Sequence, residues 1–187
     1  MNIKDPQTAK NIGKFISLIL RHEPGAIDVT LDANGWLGVD ELLAGLARKG
    51  KNITREDLDY LVANNNKSRY AYSEDGTMIR ASQGHSVEVD LELVIATPPE
   101  KLFHGTTFSA VEKIQKEGIK KMSRHHVHLS ANEATAIDVG SRRGKVAVFT
   151  VEALKMHGNG YEFYQSANGV WLTEFVPAKF ISVGSIN

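Results

Sequence analysis

The sequence of 187 residues contains no cysteine. Disulfide bonds, zinc sites with thiolate ligands and cysteine nucleophiles are therefore excluded, which fits a reducing compartment. The sequence also lacks any apolar run close to the roughly 20 residues that a membrane-spanning helix needs, so we expect a cytoplasmic protein. With 42% hydrophobic and 24% charged residues, the composition is that of a soluble globular protein with one large domain or two small ones.

The sequence has no excess charge of either sign, with 22 Lys and Arg against 22 Asp and Glu. The halves differ, because residues 1–96 contain 11 basic and 14 acidic residues and residues 97–187 contain 11 and 8. Neither half carries the strong positive charge of a protein that coats nucleic acid. A polyanionic ligand would therefore be bound by a few well-placed cations.

Helical periodicity dominates the first half. Apolar residues at i, i+3, i+4 spacing predict a helix over residues 8–22, a second helix follows over 39–50, and a third begins at Thr54 with a capping box. Two short strands around Asp75-Gly76 then predict a hairpin. Three helices and a hairpin are the order of a winged helix, a fold that commonly binds nucleic acid but does not fix function.

The second half is rich in strands. Residues 87–96 alternate between apolar and acidic side chains and predict a strand, and the segment "TPPE" at 97–100 predicts a domain boundary. Beyond it, strands and short helices follow one another without regular βαβ spacing. The whole chain is therefore predicted to be α+β, with domains 1–96 and 97–187.

The segment "MSRHHVHLS" concentrates one arginine and three of the seven histidines. In a strand, His126 and His128 would share one face and His125 would lie on the other. Such a pair can chelate a metal, but a complete site needs a third ligand, and none follows at a telling spacing. The alternative is a half-exposed strand whose histidines bond to the backbone or to solvent.

Two further motifs carry chemically versatile side chains. Arg21 and His22 in "RHEP" are predicted in the last turn of a helix, where cations also simply complement the helix dipole. The segment "HGTT" (104–107) is predicted to end a strand at a tight turn, where amides, a hydroxyl and an imidazole could hold a ribose or a phosphate. Arg69 and Arg80 lie in the predicted hairpin strands, where arginines are usually solvated or contact nucleic-acid backbone.

Taken together, four segments resemble the RNA 2′-phosphotransferase family across nearly the whole chain. The segments are "LILRHEPGAIDVTLDANGWLGVDELL", "SRYAYSEDGTMIRASQGHS", "LFHGTT" and "MSRHHVHLSANEATA". The resemblance implies a winged-helix lobe for RNA over 1–96 and an ADP-ribosyltransferase-like lobe for NAD over 97–187.

The resemblance also implies a two-step reaction at an internal RNA 2′-phosphate, such as some ligases leave at a splice junction in tRNA. The phosphate attacks C1″ of NAD and expels nicotinamide, and the ADP-ribose 2″-hydroxyl then attacks phosphorus. The implied products are RNA with a free 2′-hydroxyl and ADP-ribose 1″,2″-cyclic phosphate. NAD is thus an implied co-substrate, and we expect no metal, no membrane and no obligate protein partner.

The motif matches imply roles for individual residues. The implied catalytic residues are Arg21, His22, Arg69 and Arg124. The arginines would hold the transferred phosphate, and His22 would serve the transesterification. The implied NAD-binding residues are His104, Gly105, Thr106, His128 and Ser130. His125 occupies the variable position of the motif and is expected to take no part, whereas the roles of His85, His126 and Glu174 stay open.

One position departs from the wider ADP-ribosyltransferase pattern. Many such enzymes carry a glutamate on a late strand, where this sequence has Val170, and Glu174 is the nearest carboxylate. This argues against transfer of ADP-ribose to proteins. Two alternatives stay open: an ADP-ribosyltransferase that caps terminal phosphates of RNA or DNA, and a non-enzymatic winged-helix sensor of NAD or ADP-ribose. The acidic third helix argues against the sensor, because it suits duplex phosphates poorly.

Overall fold

The computed structural model describes residues 2–65, 67–141 and 145–186. The chain forms two compact units, which we call unit 1 (Met1–Glu92) and unit 2 (Leu93–Asn187). Their boundary lies four residues before the end of the first predicted domain. Both units mix helices with β-sheets, which confirms the predicted α+β class. Among the described residues, no helix is long and apolar enough to cross a bilayer.

Unit 1 combines helices with one small sheet. Its helices are α1 (Pro6–Ile19), α2 (Val39–Arg48) and α3 (Arg55–Ala63), and its strands are β1 (Trp36–Gly38), β2 (Tyr70–Tyr72) and β3 (Met78–Ala81). Local signals fix the helix starts. The Asp5 carboxylate accepts from the Thr8 amide at 2.8 Å, and Thr54 and Asp57 form the predicted capping box at α3. Each bond satisfies a backbone donor that has no partner within the helix.

The sheet of unit 1 has the antiparallel order β1-β3-β2. Leu37, Ile79 and Ala81 are fully buried and pack with the helices in one hydrophobic core. Because strand side chains alternate between faces, the neighbouring residues Trp36 and Arg80 lie on the opposite face. The β2–β3 hairpin turns at Gly76, whose φ of +70° suits glycine. The predicted hairpin is thus confirmed.

Unit 2 contains several small sheets. Its strands are β4 (Leu102–Thr107), β5 (Ile119–Lys120), β6 (Val127–Leu129), β7 (Val146–Val151), β8 (Tyr164–Gln165), β9 (Trp171–Thr173), β10 (Phe175–Val176) and β11 (Ile181–Ile186). They form antiparallel sheets in the orders β11-β7-β4, β6-β9-β8 and β10-β5. Strand β7 is almost entirely buried, as the apolar run "VAVFTV" requires. The central position of β7 beside β4 anchors the strand that carries His104, Gly105 and Thr106.

The helices of unit 2 are α4 (Val111–Glu117), α5 (Glu133–Gly140) and α6 (Ala153–Gly158). Helix α5 lies directly on β4 because two glycines allow their backbones to touch. A Cβ atom on Gly105 would lie 1.7 Å from the carbonyl oxygen of Ala136, and one on Gly140 would lie 3.0 Å from the Thr106 amide nitrogen. The packing therefore excludes a side chain at either position.

The end of α1 and the segment 87–96 differ from what the sequence predicts. Helix α1 stops at Ile19, so Arg21 and His22 lie in the following turn and not within the last helical turn. Pro24 disfavours helical backbone at the residue before it, and Glu23 has φ −136°. The prediction of a strand over 87–96 is wrong. The structure describes every residue of this segment, and the β-pairing within it is limited to an isolated bridge from Ile95 to Tyr164.

Candidate functional site

The turn after α1 presents Arg21 and His22 side by side. The amides of His22 and Glu23 both donate to the carbonyl of Leu18, at 2.8 and 3.0 Å. These bonds close the helix end while turning the chain toward Pro24. Both Arg21 and His22 are half-buried. Their side chains are therefore held by the fold while remaining accessible to a ligand.

Arg21 is linked to the segment that carries Arg69. The Nη2 group of Arg21 donates to the carbonyl oxygen of Arg69 at 3.1 Å. The Ser82 amide donates to the same carbonyl at 2.9 Å, which extends the β2–β3 ladder by one step. The structure thus brings together two predicted site residues that are 48 positions apart in the sequence.

Ser86 joins this cluster, although the sequence did not assign it to the site. Its amide donates to the Arg21 carbonyl at 2.9 Å, and its Oγ lies 2.9 Å from Nδ1 of His22. The sequence signal was the motif "QGHS", which supported the family resemblance but gave no role to single residues. The neighbouring His85 is buried, with Nε2 at 3.4 Å from where a Cβ of Gly35 would stand. His85 therefore packs the segment against the turn before β1.

In unit 2, a backbone bridge brings β4 and β6 together. The amides of Phe103 and Ser130 each donate to the other's carbonyl, at 2.9 and 2.8 Å. Beside this bridge, Nδ1 of His104 lies 3.0 Å from the carbonyl oxygen of His128. A carbonyl oxygen only accepts, so Nδ1 of His104 carries the hydrogen. In the neutral ring, Nε2 is then an acceptor for a ligand hydroxyl.

The electrostatics favour this neutral form of His104. Desolvation lowers the pKa of His104 below its ordinary value of 6.5, the bond to the His128 carbonyl opposes this shift, and the charge of Arg124 adds to it. Arg124 itself is exposed, and its Nη1 lies 3.4 Å from Nδ1 of His128. Because a guanidinium only donates, Nδ1 of His128 accepts this contact. His104, His128 and Arg124 thus form one cluster.

Gly105 and Thr106 are placed differently from the prediction. They lie inside β4, paired with Val148 and Ala147, and not in a tight turn at its end. The absent side chain of Gly105 is needed for packing against α5. Thr106 is half-buried on the same strand. The motif "HGT" therefore has a packing role in unit 2, besides any role in binding a ligand.

The other histidines of the cluster lie just outside β6. His125 and His126 precede the strand, and the ring of His126 packs edge-on against Tyr164 at 5.6 Å between centroids. Desolvation lowers the pKa of His126, while the Glu174 carboxylate opposes the shift. Within residues 2–65, 67–141 and 145–186, no three His, Asp or Glu side chains gather closely enough to hold a metal ion.

The late segment with Val170 contains no buried carboxylate among the residues described there. Val170 is half-buried in the turn before β9, where its amide donates to Oγ of Ser166 at 3.1 Å. The Glu174 side chain is 69% exposed and pairs with Lys121. Glu174 is thus a surface residue of unit 2 with Lys121 as its ion-pair partner.

Comparison with known proteins gives a consistent result. Residues 7–175 match the family model described as "RNA 2′-phosphotransferase, Tpt1 / KptA family". A "Probable RNA 2′-phosphotransferase" of Flavobacterium johnsoniae is 53% identical over 177 residues, which is 95% of this chain and 97% of that protein. Proteins of the same description from Fusobacterium nucleatum and Streptomyces coelicolor are 52% and 49% identical, covering 91% of this chain in each case and 96% and 92% of the relatives.

Proposed function

The chain belongs to the RNA 2′-phosphotransferase, Tpt1 / KptA family, and from this membership we propose that it removes an internal 2′-phosphate from RNA with NAD as co-substrate. The RNA phosphate attacks C1″ of NAD, and nicotinamide leaves. The 2″-hydroxyl of the attached ADP-ribose then attacks phosphorus and displaces the RNA 2′-oxygen, which takes up a proton. The products are 2′-hydroxyl RNA, nicotinamide and ADP-ribose 1″,2″-cyclic phosphate.

The observation that carries the proposal is the hydrogen-bonded cluster of Arg21, His22, Arg69 and Ser86. It joins the end of α1, the start of β2 and the segment after β3. A cation next to an imidazole suits a phosphate that must be bound and then transferred. Planar guanidinium groups bind phosphate oxygens with paired, charge-assisted hydrogen bonds.

The two steps make different demands on these residues. The phosphate is already an anion in the first step, so it needs no base, and the protein mainly positions the reactants. In the second step, charge at phosphorus is met by Arg21, Arg69 and Arg124, and each positioned donor can contribute roughly 3 kcal/mol to transition-state stabilisation. His22 serves as the acid–base or hydroxyl-orienting group, because imidazole titrates in the required range.

Unit 2 supplies the NAD-binding residues in this proposal. Neutral His104, with Nδ1 bound to the His128 carbonyl, offers Nε2 as an acceptor for a hydroxyl of NAD. The same family motifs assign NAD binding to Thr106, His128 and Ser130. Gly105 keeps β4 close to α5. We assign unit 1 to a winged-helix RNA lobe and unit 2 to an ADP-ribosyltransferase-like lobe. The helix order and hairpin of unit 1, and the antiparallel sheets of unit 2, support this assignment.

The deciding experiment is incubation of the protein with a short RNA that carries one internal 2′-phosphate, with and without NAD. We expect NAD-dependent formation of 2′-hydroxyl RNA and ADP-ribose cyclic phosphate, unchanged by a chelator, since the proposed reaction uses no metal. An RNA with only a terminal phosphate serves as the comparison. Capping of that RNA without any removal of the internal phosphate would favour the terminal-phosphate transferase. Binding of NAD or ADP-ribose with no product from either RNA would favour a sensor.

A further inference from the structure

Unit 1 carries an aromatic–arginine pair on the solvent face of its sheet. Trp36 of β1 and Arg80 of β3 are direct partners in the antiparallel register. The guanidinium carbon of Arg80 lies 4.3 Å from the centroid of the Trp36 ring. Both residues are half-exposed, and neither belongs to the hydrophobic core that Leu37 and Ile79 enter from the other face. The Trp36 ring is thus partly accessible on a face of the sheet that the hydrophobic core does not use.

A second contact restrains the position of Arg80 over the Trp36 ring. Arg80 extends over the ring, and its Nη1 donates to the Asn34 carbonyl at 3.4 Å. Ala71 stands beside Arg80 on the third strand, is exposed and offers only a methyl group. Bases of single-stranded RNA stack on aromatic rings and on arginine planes, and such stacking tolerates any base identity.

The same face leads to the proposed phosphate site. The bond from the Ser82 amide to the Arg69 carbonyl continues the ladder beyond β2. Side chains alternate, so Arg69 and Ala71 lie on the face that carries Arg80. Two residues along a strand span about 7 Å, and the step between strands is about 5 Å. The Arg69 position is therefore about 9 Å from Arg80 and about 12 Å from Trp36, close enough for these residues to contact neighbouring nucleotides.

We propose that Trp36 and Arg80 form a stacking site for the base of an RNA nucleotide next to the one that bears the 2′-phosphate. This inference rests on the proposed 2′-phosphotransferase function and extends it to the part of the substrate beyond the phosphate. The site recognises an unpaired base by its flat face, which suits a splice junction in a single-stranded loop. Its two members lie outside the cluster of Arg21, His22 and Ser86.

The test compares Trp36→Ala, Trp36→Phe and Arg80→Ala with the unaltered protein on 2′-phosphorylated RNA. We expect Trp36→Ala and Arg80→Ala to raise KM for RNA about ten-fold, the scale for loss of one base stack. The KM for NAD and the kcat should stay the same, and Trp36→Phe should keep most of the affinity because it retains a ring. Thermal unfolding of each variant checks that unit 1 is folded.

Arg55→Ala is the matched control. Arg55 also lies over an aromatic ring, that of Tyr72 at 4.7 Å. Tyr72, however, packs against the core of unit 1, and Arg55 is held by Asp59 at 3.0 Å. This variant should therefore keep the RNA KM of the unaltered protein, even if it unfolds at a lower temperature.

A second substrate series tests the base directly. RNAs that lack the base on the 5′ or the 3′ side of the phosphorylated nucleotide remove one stacking partner at a time. On one of these two abasic RNAs, the KM of the unaltered protein should rise until it equals that of Trp36→Ala. If Trp36→Ala loses the same factor on both abasic RNAs as on normal RNA, or loses nothing on normal RNA, the stacking site is wrong. If the unaltered protein processes no 2′-phosphorylated RNA, it is the proposed function that fails.

Discussion

The Oγ atom of Ser86 lies 2.9 Å from Nδ1 of His22, while the Ser86 amide donates to the Arg21 carbonyl at 2.9 Å. One serine thereby restrains the imidazole of one site residue and the main chain of its neighbour. In the proposed reaction, His22 acts mainly in the second step. Ser86 is then a positioning residue, because it acts through His22 and not on the substrate.

Ser86→Ala should slow the second step more than the first. The variant keeps the backbone bond to Arg21 and loses the hydroxyl, and one hydrogen bond is worth about 1 kcal/mol, or about a five-fold change in rate. Single-turnover reactions with labelled RNA resolve substrate, ADP-ribosylated intermediate and product. We expect the intermediate to accumulate with Ser86→Ala and to disappear again with Ser86→Thr, which restores a hydroxyl. Equal slowing of both steps would show that Ser86 only supports the fold.

His22→Ala should separate the two steps more strongly. The phosphate nucleophile of the first step needs no base, so nicotinamide release should continue. The second step should fall by about 100-fold or more, the usual scale for loss of a general acid or base. The measurement is nicotinamide release alongside the RNA species on a gel. If nicotinamide release stops while RNA and NAD still bind, His22 acts in the first step.

Thr106→Ala and Arg69→Ala should affect different substrates. Thr106 lies on β4 of unit 2 and is proposed to contact NAD, so its loss should raise KM for NAD about five-fold, as for one hydrogen bond. Arg69→Ala should lower kcat/KM for RNA by about 100-fold, because a charged phosphate contact is lost. Steady-state kinetics with each substrate varied in turn measure both. Impaired RNA use with unaltered NAD dependence in Thr106→Ala would reverse the assignment of Thr106.

Local signals in the sequence predicted much of unit 1. The capping box at Thr54 and the Asp75-Gly76 turn act within a few residues, and both are confirmed. Asp75 accepts bonds from the hydroxyl of Ser73 and from both the amide and the hydroxyl of Thr77. These bonds hold the pKa of Asp75 at about 2. A turn built from neighbouring residues can be read from sequence because no distant partner decides it.

Features that depend on distant partners were not predictable in the same way. Residues 87–93 do alternate between half-buried and exposed positions, but a strand also needs a neighbour along its length, and the Asp90 amide instead donates to the Ala33 carbonyl. Likewise, nothing local indicated that His104 would bond to the backbone of His128. The family motifs identified these residues, whereas their contacts depend on the pairing of β4 with the end of β6.

Gly105→Ala should destabilise unit 2 by about 2 kcal/mol or more, because overpacking forces the backbone to move. The new Cβ would lie 1.7 Å from the Ala136 carbonyl oxygen, a backbone atom that cannot rotate away. Gly158→Ala is the matched control, since nothing lies within 4 Å of its Cβ position and alanine favours the helix by up to about 1 kcal/mol. Urea unfolding measures both. A stable Gly105→Ala protein with impaired NAD use would instead assign Gly105 to the ligand.

The neutral state of His104 should make unit 2 sensitive to acid. The folded protein holds the pKa of His104 below 6.5, so the unfolded chain binds the proton more readily. The stability associated with neutral His104 is therefore complete above about pH 6.5 and is lost as the pH falls through the folded pKa. His104→Asn removes this titration while an amide nitrogen still faces the His128 carbonyl.

In a Trp36→Phe background, fluorescence of Trp171 follows the urea unfolding of unit 2 alone. Between about pH 7.5 and about pH 5, the protein with His104 should lose more stability than His104→Asn, and equal losses for the two would mean that the pKa of His104 is the same in the folded and unfolded chains.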